Sequence, residues 1–394
     1  MKFVVLGGAG MVGSTVAKDL AGLKDVQEVC IADINLDNAR KKAAEIGSIA
    51  TAKAADINNP KALADLFRDY KVVVNCVGPF YLNGPKVLEA AIKSKINYVD
   101  VCDDYDATEL LLTYHDKCSK AGITAILSFG ASPGFTNMCG LLGSQRMDSV
   151  DEIHSVFVQT LNSVEGEGAF STIWHGIHMA HGEVPQFLNG ELVKTPAMTG
   201  KEDLTFLPPL AHYPVYYLGH PEPILLSRSI KGLKNATLKG NIWGGDLELG
   251  NSMKPFLDLG FGDRDPMKFL GQDTTVRDFF VQYLIQFVVP TLQGSITFQK
   301  PEDYFEFIIR SDVRGKIDGK DAQFIYLSNM PINAGTGGSA AYGAYAIGTG
   351  KVTAKGCFGP EACVDPNDYF KHMESYKGIK LYETRSITGK CEFK

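Results

Sequence analysis

A doubly wound α/β unit with a parallel sheet, joined to an α+β unit built on a mixed sheet, is the fold this sequence predicts. Three observations carry that reading. From Lys2 to Leu127 short apolar runs alternate with amphipathic helical patterns, and fully apolar strands separated by helices belong to a parallel sheet covered on both faces. Past Asn137 the strands lengthen and turn more polar while helices occur in clumps, as in a mixed or antiparallel sheet with helices on one face. Near the end, the small residues of Ala334 to Ala346 form a helix suited to close packing, expected to return to the first unit.

The elements follow in order. Strand-like runs are Phe3 to Leu6, Glu28 to Ala32, a weak Ala52 to Ala55, Val72 to Cys76, Tyr98 to Cys102 and Thr124 to Leu127. Helical patterns between them cover Met11 to Gly22, Leu36 to Ile46, Lys61 to Tyr70, Pro85 to Ser94 and Ala107 to Ala121. Asn83 is expected to cap the helix starting near Pro85, because proline suits a first turn where its missing N–H needs no partner. Gly122 is placed to end the last helix in a left-handed cap. In the second unit the expected strands are Asp151 to Thr160, Tyr213 to Tyr217, Ala236 to Trp243, Ser295 to Gln299, Tyr304 to Asp312 and Asp321 to Ser328.

Composition narrows the function. The chain has 394 residues, 45% hydrophobic and 21% charged, enough for more than one core and close to ordinary globular proteins. A formal net charge of -6 without a Lys/Arg cluster excludes a phosphate-tracking nucleic-acid surface. The longest apolar candidate for a membrane span, Phe279 to Leu292, is interrupted by Gln282, Gln286 and Pro290. Met1-Lys2 runs straight into a strand, which leaves no signal-peptide pattern. The cysteines are scattered without a C-x-x-C pair and are expected to be reduced and structural. A cytoplasmic protein is the expectation.

The central motif is Gly8-x-Gly10-x-x-Gly13, between the first strand and the first helix. Glycines there serve a tight turn, bare backbone beside a pyrophosphate and close helix-to-sheet packing. The backbone from Gly8 through Ala9, Gly10, Met11 and Val12 to Gly13 is therefore the candidate phosphate cradle at a helix N-terminus. Asp33, just past the second strand, is placed to accept from the adenosine ribose hydroxyls; capping the next helix is its alternative role. A carboxylate there points to NAD, with NADP possible, since a 2′-phosphate would meet a like charge. Arg40 falls on the following helix, where a solvated surface role is the plainer reading. Asp56 is a candidate for the adenine edge, or a turn and cap residue before Pro60. Val77, Gly78 and Pro79 follow the fourth strand at the carboxyl edge, where ligands of such folds lie; a simple turn is the alternative.

Gly7-x-x-Gly10-x-x-Gly13 equally fits short-chain dehydrogenases, which need a Tyr-x-x-x-Lys pair. Its match, Tyr376 to Lys380, is interrupted by Gly378 near the C-terminus, and that class is set aside. GGAGMVG at Gly7–Gly13, CVGPF at Cys76–Phe80, YVDVCD at Tyr98–Asp103, GASPGFTN at Gly130–Asn137, HYPVYYLGHPEP at His212–Pro223 and NAGTGGSAA at Asn333–Ala341 together resemble the saccharopine dehydrogenase (saccharopine reductase) family, in particular its lysine 6-dehydrogenase-like branch. The resemblance implies a split Rossmann domain closed by C-terminal helices, a substrate domain on a mixed sheet, and a homodimer. It also implies oxidation of a C–N bond of an amino acid or derived amine, or the reverse imine reduction. The expected boundaries are 1–137 for dinucleotide binding, 138–335 for substrate and dimerisation, and 336–394 for the return.

Amine oxidation needs an acid/base group near the nicotinamide and counter-charges for substrate. Asp103, ending the fifth strand, is a candidate for holding an ammonium or taking a proton; in this cluster, with Asp100 and Asp104, a helix cap competes. Asn137 is a candidate substrate contact or helix cap. Trp174-His175, His178 and His181 form a stripe at helical spacing, and His175 is taken as a proton-exchange candidate. A metal site from this stripe would need a carboxylate or thiolate at matching distance; Glu183 lies beyond His181, and the metal reading is set aside. In His220-Pro-Glu222-Pro the prolines are expected to hold Glu222 extended and aim it into a cleft. Tyr217 and Arg228 are candidate substrate contacts, Arg228 through paired donors to a carboxylate, with core packing and a surface ion pair as their alternatives. Thr336 resembles a family position beside the cofactor, or a helix cap. The enzyme alternative is a carboxynorspermidine-type dehydrogenase; the non-enzyme alternative is a non-catalytic NAD-binding regulator, with a glycine loop and no converging polar groups.

Overall fold

The computed structural model describes residues 1–160, 169–208, 210, 212–244, 249–290 and 306–388. The expected strand Ser295 to Gln299 and Cys391 lie outside the described residues. Two compact units emerge: Met1–Leu142 with Ile332–Lys380, and Gly143–Pro331 with the chain from Leu381.

The first unit holds β1 (Lys2–Leu6), α1 (Met11–Ala21), β2 (Glu28–Asp33), α2 (Leu36–Ile46), β3 (Ala50–Ala54), α3 (Pro60–Phe67), β4 (Val72–Asn75), α4 (Phe80–Ser94), β5 (Asn97–Asp100), α5 (Tyr105–Leu112), α6 (His115–Ala121), β6 (Thr124–Ile126) and α7 (Phe135–Ser144), whose end runs into the second unit. A return helix (Ile332–Thr349), a return strand (Gly356–Phe358) and a last helix (Pro366–Lys377) complete it. Its sheet is parallel throughout, in the order return strand, β6, β5, β4, β1, β2, β3. The order reverses between β1 and β4, and a crevice at the carboxyl ends of those strands is where such sheets bind ligands. Val4, Val5, Val29, Val73 and Val74 are fully buried, as strands covered on both faces require.

Local chemistry sets the helix ends. Asn35 accepts from the Asn38 N–H and Asn59 from the Ala62 N–H, capping α2 and α3. Gly122 adopts φ 72° and closes α6 as expected. Two expectations are corrected. The fourth helix starts at Phe80, with Pro85 inside it, because burial of Phe80 against Cys102 and Ala107 draws the first turn into the helix; Asn83 donates to the Gly78 carbonyl at 2.9 Å and caps nothing. The expected Ala107 to Ala121 helix is two, α5 and α6, separated where the Thr113 hydroxyl donates to the Leu110 carbonyl at 2.6 Å.

The return helix does rejoin this unit, and its small residues explain how. A Cβ on Gly337 would lie 2.6 Å from the Thr15 methyl of α1, so only a bare backbone fits the contact. The Ser339 hydroxyl meets the Tyr369 hydroxyl of the last helix at 2.7 Å. Lys377 donates to Asp19 of α1 at 2.8 Å, with both side chains largely buried, and burial holds the Asp19 carboxyl above its ordinary range.

The second unit contains β7 (Ser149–Thr160), α8 (Ala169–Ala180), β8 (Glu183–Leu188), β9 (Glu191–Pro196), β10 (Glu202–Thr205), β11 (His212–Tyr217), α9 (Glu222–Ser229), β12 (Asn235–Gly244), α10 (Leu249–Phe256), the hairpin β13 (Pro266–Phe269) and β14 (Gln272–Thr275), α11 (Val276–Tyr283), β15 (Phe307–Ile317) and β16 (Lys320–Met330). Its main sheet runs β10, β11, β12, β7, β15, β16 and a terminal strand, Tyr382–Ile387, with β8 and β9 attached beside β12. Among the described strands of this sheet, β12 and β7 alone pair in parallel, so the sheet is mixed. Gln186, fully buried, donates to the Leu218 carbonyl and accepts from the Leu238 N–H, tying β8 to β12. The terminal strand departs from the expected return of 336–394: it pairs antiparallel with β16 from Ala322↔Ile387 to Leu327↔Tyr382, because the ladder on that edge is otherwise unfilled.

The buried Asp19–Lys377 pair yields a test. Lys377→Met leaves an uncompensated buried carboxylate, so urea unfolding at neutral pH should show a loss of about 3 kcal/mol. The loss should shrink in acid as Asp19 takes up a proton.

Candidate dinucleotide site and the second-unit cluster

The glycine loop divides by what each missing side chain would strike. Gly7 sits at φ 69°, in the left-handed region, and turns the chain out of β1. A Cβ on Gly13 would come within 2.2 Å of the Gly7 carbonyl oxygen, and one on Gly8 within 2.8 Å of the Val5 carbonyl. Those residues are glycine because the protein itself fills the space. Gly10 is different: its nearest foreign atom, the Gly7 oxygen, lies at an unforced 3.4 Å, and its φ of -71° suits any residue. Gly78, after β4, has nothing within 4 Å. Both are exposed at the carboxyl ends of adjacent strands, and no described part of the chain crowds either position.

Gly10 takes the N-cap position of α1 with no side-chain cap, leaving the first-turn N–H groups of Met11, Val12 and Gly13 for an anion. The Ala9 N–H donates to Asp33 Oδ2 at 3.1 Å and the Asn35 N–H to Oδ1 at 3.0 Å. Asp33 therefore fixes the loop while each oxygen keeps acceptor capacity. It does not cap α2; Asn35 does. Arg40 pairs with Asp37 at the surface. Asp56 stands exposed, accepting from the Asn58 backbone and side chain in a turn, and the cap falls to Asn59. These residues fit a dinucleotide: a bare cradle, an open helix start and a carboxylate behind them.

Below the crevice lies a buried polar chain that the sequence reading passed over. Asp100, fully buried, accepts from the Ser128 N–H at 2.6 Å, the Cys102 N–H at 3.1 Å and the Tyr98 hydroxyl at 2.9 Å. Asn75 donates to the Tyr98 oxygen at 3.1 Å and accepts from the Val77 N–H at 3.1 Å. Burial pushes the Asp100 carboxyl up to about 6 despite these donors. Asp103 follows in the loop, half-buried, and Asp104 takes the N-cap position of α5 without a side-chain cap bond. Cys76 and Cys102 flank the chain as free thiols.

Other candidates in this unit land elsewhere than expected. Asn137 is the third residue of α7, fully buried, and donates to Glu361 at 2.9 Å; it is no cap, and its amide is committed to a carboxylate. Thr336 lies inside the return helix next to Gly130, past the position a cap would take.

In the second unit the histidine stripe separates into three environments. His175 meets the His220 ring edge-on, with centroids 5.5 Å apart. His178, buried, faces the Arg264 guanidinium at 3.1 Å and that of Arg277 at 3.3 Å; since guanidinium only donates, the ring nitrogen facing it accepts. His181 pairs with Asp263 at 2.9 Å. Glu222 corrects the expectation of an extended loop. Pro221, at φ -71° and ψ -19°, starts α9, and Glu222 is its first residue, fully buried, where the helix N-terminus favours a carboxylate. His220 Nδ1 lies 2.6 Å from Glu222 Oε2. His220 thus belongs with Glu222 and His175. Tyr217 packs under Gly200 and carries Lys239 over its ring at 4.7 Å, while Arg228 is exposed in the last turn of α9; neither joins this cluster.

Comparison with known proteins fits this geometry. Residues 3–126 match the family model described as the saccharopine dehydrogenase NADP binding domain, a stretch that contains the glycine loop, Asp33, the Val77–Pro79 loop and Asp103. The first unit is thus similar to the dinucleotide-binding domain of the saccharopine dehydrogenase family. A saccharopine dehydrogenase-like oxidoreductase of Mus musculus is 34% identical over 89 residues, 22% of this chain and 20% of that protein. The match thus spans only a fifth of that relative. Carboxynorspermidine synthase of Vibrio alginolyticus is 26% identical over 398 residues, 94% of this chain and 89% of its own. Saccharopine dehydrogenase (L-Glu forming) of Saccharomyces cerevisiae shares the fold across 98% of this chain and 99% of that one, with a TM-score of 0.69 at 16% identity. Both comparisons place a nicotinamide-dinucleotide-binding type of domain in the first unit. None of the chain's described helices is long and apolar enough to cross a membrane.

The glycines and Asp100 each make an expectation. Gly10→Ala should melt within about 2 °C of wild type, for lack of a clash, yet lose at least tenfold in NADH affinity by fluorescence titration, roughly the effect of 1.4 kcal/mol. Gly13→Ala should lower the melting temperature itself. Asp100 binds its proton more tightly folded than unfolded, so its contribution to stability falls as pH rises from about 3.8 to about 6. Asp100→Asn should flatten that part of the stability profile measured by urea titration.

Proposed function

We propose that the chain is an NAD(P)-dependent oxidoreductase acting on the C–N bond of an amino acid or amino-acid-derived amine, lysine-like or saccharopine-like substrates first. The observation that carries the reading is the cradle of Gly10 and Asp33, bare backbone at an open helix start with a carboxylate behind it. NAD is the preferred cofactor, because Asp33 would repel a 2′-phosphate and Arg40 is engaged with Asp37. The bound nicotinamide supplies the hydride acceptor, or the donor in reverse.

The residues of the chain handle protons and charge. An amine gives up hydride only once its nitrogen has lost a proton, which calls for a base. Asp103, His175 and Glu222 are the candidates, and His220 joins them: with Nδ1–H directed at Glu222, Nε2 is the ring nitrogen that exchanges protons. The imine so formed is hydrolysed by water or, in reverse, reduced. The reading carries a cytoplasmic homodimer with it.

A second reading, a carboxynorspermidine-type dehydrogenase that joins an amine to an aldehyde reductively, is favoured by the Vibrio relative's match along nearly the whole chain.

Nicotinamide absorbance separates these readings. NAD reduction by lysine or saccharopine supports the first; NAD(P)H oxidation only with a diamine and an aldehyde supports the second. NADH binding without turnover on any amine or imine would leave a dinucleotide-binding regulator and overturn the enzyme. Asp33→Ala should weaken NAD more than NADP.

A further inference from the structure

We propose that Asp100 is a positioning residue: acting through Tyr98 and Asn75, its carboxylate sets the Val77–Gly78–Pro79 backbone on which the nicotinamide half of the dinucleotide rests. The proposal deepens the dinucleotide reading and depends on it.

Proton direction makes the case. Asp100 Oδ1 is occupied by two backbone N–H donors, from Cys102 and Ser128, and Oδ2 by the Tyr98 hydroxyl. A phenol has one proton. Spent on Asp100, it leaves the Tyr98 oxygen an acceptor, which obliges Asn75 to turn its NH2 inward at 3.1 Å. The Asn75 carbonyl oxygen then has one orientation left, toward the Val77 N–H at 3.1 Å. Reversing the amide would set its NH2 against that N–H, donor against donor. One ionised carboxylate at the end of β5 therefore dictates the hydrogen bond that holds Val77, the second residue past β4. The same carboxylate grips the turn after β6 at Ser128, whose φ of 59° is left-handed for a non-glycine residue. The ends of three neighbouring strands, all at the ligand-binding edge, answer to one charge.

Burial supports a role beyond packing. Asn75, Tyr98 and Asp100 are each 0% exposed, and a buried carboxylate with neutral partners is disfavoured against an apolar side chain of similar shape. Apolar replacements would fill the core equally well. They could not orient the Val77 N–H, and Gly78 next to it is the glycine with open space where a side chain would stand.

The test separates the two halves of the cofactor. Tyr98→Phe keeps the ring and deletes the hydroxyl; binding of NADH and of ADP, which carries only the adenosine half and pyrophosphate, is measured by calorimetry. NADH affinity should fall about tenfold, the scale of one buried hydrogen bond lost, with ADP affinity unchanged. Asn75→Ala, which leaves the Tyr98–Asp100 bond intact, should give the same split and stands in if the first variant does not fold. Equal weakening of NADH and ADP, or unchanged NADH, overturns the positioning role. If the wild-type protein binds neither ligand, the dinucleotide reading falls, and this proposal with it.

Discussion

Helix α1 starts so close to the strand before it that no side chain fits between them. A Cβ on Gly13 would overlap the Gly7 carbonyl, and that one proximity fixes several others. It aims the first helical turn at the crevice beyond β1 and leaves its N–H groups uncapped. On the opposite side of α1 the return helix is equally close, at Gly337 against Thr15. The helix is clamped between two glycine contacts and cannot slide without breaking one.

Charge completes what close packing starts. Asp33 receives the loop's Ala9 N–H, so the acid proposed to meet a ribose is also a brace for the turn proposed to hold a pyrophosphate. In the second unit the same economy appears at Glu222, which begins a helix and holds His220. In both places a carboxylate is set from two sides, Asp33 by two backbone N–H groups and Glu222 by a helix N-terminus and the His220 ring.

Much of the first unit was legible because its signals are local. Apolar strands, glycine spacing and an acid after β2 are short-range patterns, and the observed strand order agrees with them. Where reading failed, tertiary packing decided: Phe80 pulled α4 forward past Pro85, and a proline pair taken for extended chain opened α9 instead. The relay from Asp100 to Val77 was not legible, since its members sit in ordinary strand runs and acquire meaning only when β4 and β5 are paired in register. His220 was visible beside Glu222, yet nothing in sequence says that a histidine and a glutamate separated by a proline will face each other. The histidines share one helical spacing yet occupy three environments, because arginines from beyond α10 reach one of them and Asp263 another.

Neither unit is a continuous stretch of chain. The seventh strand of the first sheet, Gly356–Phe358, and the helix clamping α1 come from residues beyond Pro331, and β16 is joined by Tyr382–Ile387. During synthesis on the ribosome, β1 through β6 emerge long before their closing pieces, with the flank of β6 bare for most of translation. Final assembly of both sheets therefore waits on residues 332–387, and a nascent chain stalled at Pro331 would have two unfinished halves rather than one mature and one missing.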